Sequence, residues 1–142
     1  MGIVKFDLNS RRGGARLEPL LKQMEEIFSK DFTEPTNISL AVVNEETGKK
    51  LNRIYRGKDE ATDILTFVYG DREMAGDIIL CHKKVGERAK KEHRKIQETF
   101  AHLIIHGVCH ILGYTHKNKK TAAQMEKREQ RAMEKLRMNP LN

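Results

Sequence analysis

His102-Leu103-Ile104-Ile105-His106-Gly107-Val108-Cys109-His110-Ile111-Leu112-Gly113-Tyr114-Thr115-His116 is the stretch on which the reading of this chain turns. Its apolar residues recur at helical spacing over about 95–112, with Phe100, Leu103, Ile104, Val108 and Ile111 expected inside. His106 and His110 are four residues apart, about 40° around a helix axis, so both imidazoles can face one ion. Gly113 follows the last periodic residue, where glycine adopts the left-handed conformation that ends helices and lets the chain turn back. That reversal can return His116 to the same point as a third ligand. Three nitrogens leave a fourth position open, the arrangement of a hydrolytic rather than a structural zinc site. The expected cofactor is therefore one zinc ion per chain, although other transition metals also accept three imidazoles. His102 lies two turns before His110, about 12 Å along the axis, too far to share the ion with it. It is expected to support a ligand from behind or to face the substrate.

The same spacing occurs in the metzincin protease pattern H-E-x-x-H-x-x-G-x-x-H, but Gly107 stands where that pattern has its glutamate base. Without the carboxylate the usual activation of water for peptide cleavage is missing, so a protease is a distant alternative. His82 and His93 are read as exposed polar residues, and Cys109 as a helix-packing residue.

Working outward, Val4-Lys5-Phe6-Asp7-Leu8 alternates like a strand, and residues 17–30 follow helical periodicity. Pro35-Thr36-Asn37 breaks the chain before a strand from Ile38 to Val43. Asn44 can cap a short helix to about Tyr55, with Leu51 and Ile54 inward. After the polar loop Arg56 to Thr62 come two strands, Ile64 to Tyr69 and Gly76 to Leu80, separated by a Gly70-Asp71 turn. The rest is helical, with Val85, Ala89 and Ile96 on one side of the first stretch. A last helix, about 121–137, has Ala122, Met125, Ala132, Met133 and Leu136 as its apolar stripe. The expected fold is α+β or α/β-like: a small four-stranded sheet covered by about five helices, residues 1–142 forming one domain. The metal site would sit on the long central helix and the turn after it.

The chain has 142 residues and a formal charge of +7, unevenly distributed. Residues 82–98 carry seven Lys/Arg against three Glu, and residues 117–137 eight against three, together +9, while the first 81 come to −2. A basic field on both sides of the histidines favours a polyanion, nucleic acid first. Lys84, Arg88 and Lys91 are the residues expected to track a nucleic-acid backbone. Two cysteines without a CxxC pair fit a reducing compartment. Met1 to Arg16 lacks a secretory apolar core, and the apolar runs are too short to span a bilayer. The expectation is a cytoplasmic protein without membrane association.

The chain resembles the YbeY family of rRNA maturation factors. The family signature H-G-x-x-H-x-x-G-Y-D-H is matched by His106, Gly107, His110, Gly113, Tyr114 and His116. A second block, Leu51-Asn52-Arg53-Ile54-Tyr55-Arg56 with Asp59 and Thr62-Asp63-Ile64-Leu65-Thr66-Phe67, is similar to L-N-x-x-Y-R-x-x-D-x-x-T-D-V-L-S-F. Gly76-Asp77-Ile78 resembles a further G-D-I element. The resemblance implies a metal-dependent endoribonuclease acting on single-stranded RNA, with ribosomal RNA and the small ribosomal subunit as partners. It also implies that the sheet is mixed and that Arg56 belongs to the active site, where a guanidinium could grip a phosphate bidentately. Thr115 departs from the family's Asp; it could still accept a hydrogen bond from an imidazole or face the substrate. The nucleophile, a metal-activated water or a ribose 2′-hydroxyl, stays open. A noncatalytic ribosome-assembly factor with a structural metal is the rival reading.

Overall fold

The computed structural model describes residues 4–9, 17–71 and 73–138, so most of Met1 to Arg16 lies outside the described residues. Four strands, β1 (Val4–Asn9), β2 (Thr36–Val43), β3 (Ile64–Val68) and β4 (Met74–Cys81), form one sheet in the order β1-β2-β4-β3. The β1–β2 and β2–β4 pairs are parallel, and β3 runs antiparallel to β4 as an edge strand. Five helices complete the fold: α1 (Glu18–Phe28), α2 (Glu45–Arg56), α3 (His82–Lys91), α4 (Ile96–Ile111) and α5 (Lys119–Lys135). This is the expected α+β architecture.

Strand alternation divides the sheet into two faces. Val4, Ile38, Leu40, Ile78 and Leu80 point into one core, which α1, α4 and α5 also fill. Phe100, Leu103, Ile104, Ile105 and Val108 of α4 are all buried there. Each such side chain contributes about 1.5–3 kcal/mol of transfer free energy, so α4 is the best-anchored helix. At Gly107 it lies so close to the sheet that an added Cβ would stand 2.9 Å from Ile78 Cδ1 and 3.2 Å from Thr66 Oγ1. The missing glutamate of the protease pattern is thus replaced by a helix–strand contact.

The opposite face is covered only in part, by α2. Asn44 caps this helix as expected, its Oδ1 accepting from the Thr47 N–H at 2.8 Å, and Gly57 (φ 70) ends it. Ile54, expected inward, is instead 58% exposed. The helix touches the sheet along a narrow strip that includes Gly48 and Asn52. The Asn52 amide donates to the Glu60 carbonyl at 2.6 Å and secures the following loop. Ile96 is also more exposed than expected. A turn through His93 (φ 55) ends α3 and starts α4 in a new direction, separating Ile96 from the Val85–Ala89 stripe. The start of α5 carries a capping box, with Asn118 Oδ1 accepting from the Thr121 N–H and Thr121 Oγ1 accepting from the Asn118 N–H. Cys81 and Cys109 are buried and free. Among the described residues no helix is long and apolar enough to cross a membrane.

Candidate metal centre

The last turns of α4 present His106 and His110 on one side, as their spacing requires. The helix then closes with paired bonds, Gly113 N–H to His110 O and Tyr114 N–H to Cys109 O, both 3.0 Å. Gly113 takes φ 101, and the chain doubles back to His116. Ring centroids of the three histidines lie 4.6, 5.1 and 5.2 Å apart. One nitrogen from each ring falls within 4.8 Å of the others. The Nε2 atoms of His106 and His110 are 3.1 Å apart, near the roughly 3.3 Å that two nitrogens span on a tetrahedral zinc. The donor set and spacing therefore fit one metal ion. Burial first, then repulsion from His106 and His116, lowers the His110 pKa, favouring the neutral imidazole that ligation needs.

Behind this triad stands Glu129 of α5, a residue that sequence reasoning missed. Its carboxylate is buried and accepts from His106 Nδ1 at 2.5 Å, while His102 Nε2 lies 3.9 Å from its other oxygen. Burial alone would raise this carboxyl, but hydrogen bonds from His102 and His106 outweigh it and pull the pKa down to about 2. An ionised Glu129 makes Nδ1 of His106 the donor, leaving Nε2 free to face His110. His102 accordingly stands on the Glu129 side of the triad. The available signal was positional: Met125, Glu129, Ala132 and Leu136 share one helical stripe, so a carboxylate sits among apolar neighbours. Cys109 stays a thiol; burial, reinforced by the Glu129 charge, pushes it up to about 12. Its role is packing.

The histidines open onto a cleft of about 450 Å³, lined by Arg56, Asp63, Thr66 and Thr115 together with His106 and His110. Arg56 reaches it from the last turn of α2, and makes no ion pair among the described residues. Thr115 lines the cleft, with no hydrogen bond to an imidazole among the described residues. Lys84, Arg88 and Lys91 are not brought to the cleft. Arg88 is bound to Asp63 and Glu92, each at 2.8 Å, and Lys84 lies 3.4 Å from Glu87. Only Lys91 of the three is exposed without a described ion pair. The charge count read these cations as a free surface, whereas carboxylates three and four residues away, and Asp63, neutralise much of it.

Comparison with known proteins places the chain beside named relatives. The family model described as Endoribonuclease YbeY matches residues 7–137. A protein called Endoribonuclease YbeY from Cupriavidus pinatubonensis is 38% identical over 121 residues, 83% of this chain and 60% of its own length. One of the same name from Aromatoleum aromaticum is 42% identical over 100 residues, 70% of this chain and 65% of its own length. The chain therefore spans somewhat less than two thirds of these curated relatives. Among solved structures, the solution structure of TM1509 from Thermotoga maritima is similar, with a TM-score of 0.69 and 27% identity. That match covers 95% of this chain and 92% of the other.

Proposed function

Because the chain belongs to the YbeY family, we propose that its cleft hydrolyses phosphodiester bonds within single-stranded RNA, serving ribosomal RNA maturation and ribosome quality control. One observation carries this reading: His106 and His110 of the converging histidine triad line the same open cleft as the Arg56 guanidinium, which has no ion pair among the described residues. Zinc, held by His106, His110 and His116, would supply Lewis acidity to a phosphoryl oxygen and to water. Arg56 would grip non-bridging phosphate oxygens and neutralise charge growing on them in the transition state. Glu129 acts as a positioning residue, holding the ring and tautomer of His106. The small ribosomal subunit as the setting, a cytoplasmic location, and one domain over residues 1–142 belong to the same reading.

Cleavage of a defined single-stranded RNA by zinc-loaded protein tests it. Native protein should cut; His110→Ala should lose both metal and cleavage; Arg56→Ala should keep metal but lose cleavage. Arg56→Lys should recover little, because a point charge cannot reproduce a bidentate fork. A deoxyribose at the scissile position separates attack by water from attack by the 2′-hydroxyl. Native cleavage by Arg56→Ala removes that residue from the site. A zinc-loaded native protein that binds but never cuts RNA would favour the noncatalytic assembly factor.

A further inference from the structure

Large apolar side chains are rarely left exposed in this fold, and their placement is uneven. Of five among the described residues, Ile54, Tyr55, Val68 and Tyr69 lie at the end of α2 and the end of β3, the two elements that bring Arg56 and Val68 to the cleft. Tyr55 is 61% exposed and Tyr69 52%. The Tyr55 ring meets Phe67 edge-on, with centroids 5.0 Å apart. Tyr69 continues the ladder beyond β3, its N–H bonded to Ala75 O, so it shares the face of Phe67, two residues earlier. The Tyr69 hydroxyl donates to Asp77, which is paired opposite Phe67 on β4. Both phenol rings are therefore held in place while more than half of each residue remains in solvent.

We infer that Tyr55 and Tyr69 form a stacking platform for unpaired bases of a single-stranded nucleic acid that passes over β3 from the histidine cleft. This rests on the RNA-cleaving reading of that cleft and names how the strand leaves it. Thr66 and Val68 line the cleft on one side of β3, and Phe67 and Tyr69 alternate to the other. β3 is the sheet edge, so a flexible strand crosses only one strand width, about 5 Å, between the two faces. Arg53 and Arg56 flank Tyr55 on the last turn of α2. Among the described residues Arg53 is held only by an exposed Asp59 at 3.8 Å, a weak contact that a phosphate could replace. Fixed aromatic faces beside guanidinium groups suit bases and phosphates in alternation, without sequence preference. Duplex RNA, whose bases are already stacked, should not occupy the platform. This path also differs from the α3 face, where Lys84 and Arg88 are paired.

The test uses single-stranded RNA carrying 2-aminopurine, with quenching and affinity read by stopped flow before cleavage, and cleavage followed on the same strand. Tyr55→Leu and Tyr69→Leu should each weaken binding about 5- to 100-fold and reduce quenching, with metal content unchanged. Tyr55→Phe should stay within about twofold of native. Both rings are more than half exposed, and thermal melting checks that each variant is folded. If the folded Leu variants bind and quench like native protein, the platform is wrong even where cleavage persists. If Tyr55→Phe is as weak as Tyr55→Leu, the effect lies in the hydroxyl and stacking is overturned. If quenching follows the expected pattern but native protein never cuts, the hydrolase reading falls and the platform stands.

Discussion

Arg128 and Glu129 are neighbours on α5, equally buried at 7% exposure, yet they serve different parts of the molecule. One residue of helix turns the side chain by about 100°, enough to face another partner. Arg128 points to α1: its guanidinium reaches Asp31 Oδ2 at 2.9 Å and lies 4.4 Å from the centre of the Phe28 ring. Glu129 points to α4 and holds His106 and His102. The first joins two helices; the second fixes an imidazole of the histidine triad. A buried charge therefore has no single meaning, and its partner decides whether its loss costs stability or function.

The largest effect should come from Arg128→Ala, which leaves Asp31 without its cation and removes the contact over Phe28. Because Asp31 keeps some solvent access, the loss should be about 3 kcal/mol, the low end for breaking a buried pair. That corresponds to a melting point lower by roughly 10 °C in calorimetry. Zinc affinity, measured where the variant is still folded, should be unchanged. Glu129→Gln should do the reverse: zinc affinity about 10–100-fold weaker by competition titration, with a smaller change in melting. Equal melting losses in the two variants, or a matching loss of zinc affinity in Arg128→Ala, would break the division between them.

The exposed pair Tyr69–Asp77 offers the smallest effect and the sharpest contrast. Chiefly through the hydrogen bond to Asp77, the Tyr69 phenol is pushed up to about 12. Its protonated form is the donor, so its contribution is complete below the ordinary value of 10 and is lost as pH rises through about 12. Near-ultraviolet titration of Asp77→Ala should show this phenol returning toward 10. Stability at neutral pH should move by no more than a few tenths of a kcal/mol, as for exposed pairs generally. An unchanged titration in Asp77→Ala would remove the hydrogen bond as the cause.

The parts of the site legible in the sequence are those set by local geometry. His106 and His110 are one helical turn apart and Gly113 permits the reversal to His116, so spacing alone carried the triad. Arg56 was identifiable only through family resemblance, since nothing local to an arginine at a helix end marks it as facing a cleft. Glu129 is 23 residues from His106, on a helix whose many charges hid its inward position. The basic residues of α3 illustrate the same limit. Lys84–Glu87 and Arg88–Glu92 are local pairs readable from spacing, but the Arg88–Asp63 bond joins residues 25 apart. For the fold, periodicity located all four strands and all five helices. Strand order is a matter of long-range pairing, and periodicity does not encode that β4 lies between β2 and β3.

The central claim is that His106, His110 and His116 together hold one metal ion. Elemental analysis of native protein, of the three single alanine variants and of His82→Ala, each loaded with zinc and desalted, tests it directly. His82 is an exposed histidine whose ring lies 6.0 Å from Phe100, outside the triad, and serves as the control. Native protein and His82→Ala should retain about one zinc per chain, and each triad variant far less. Equal zinc in all five proteins would contradict the account.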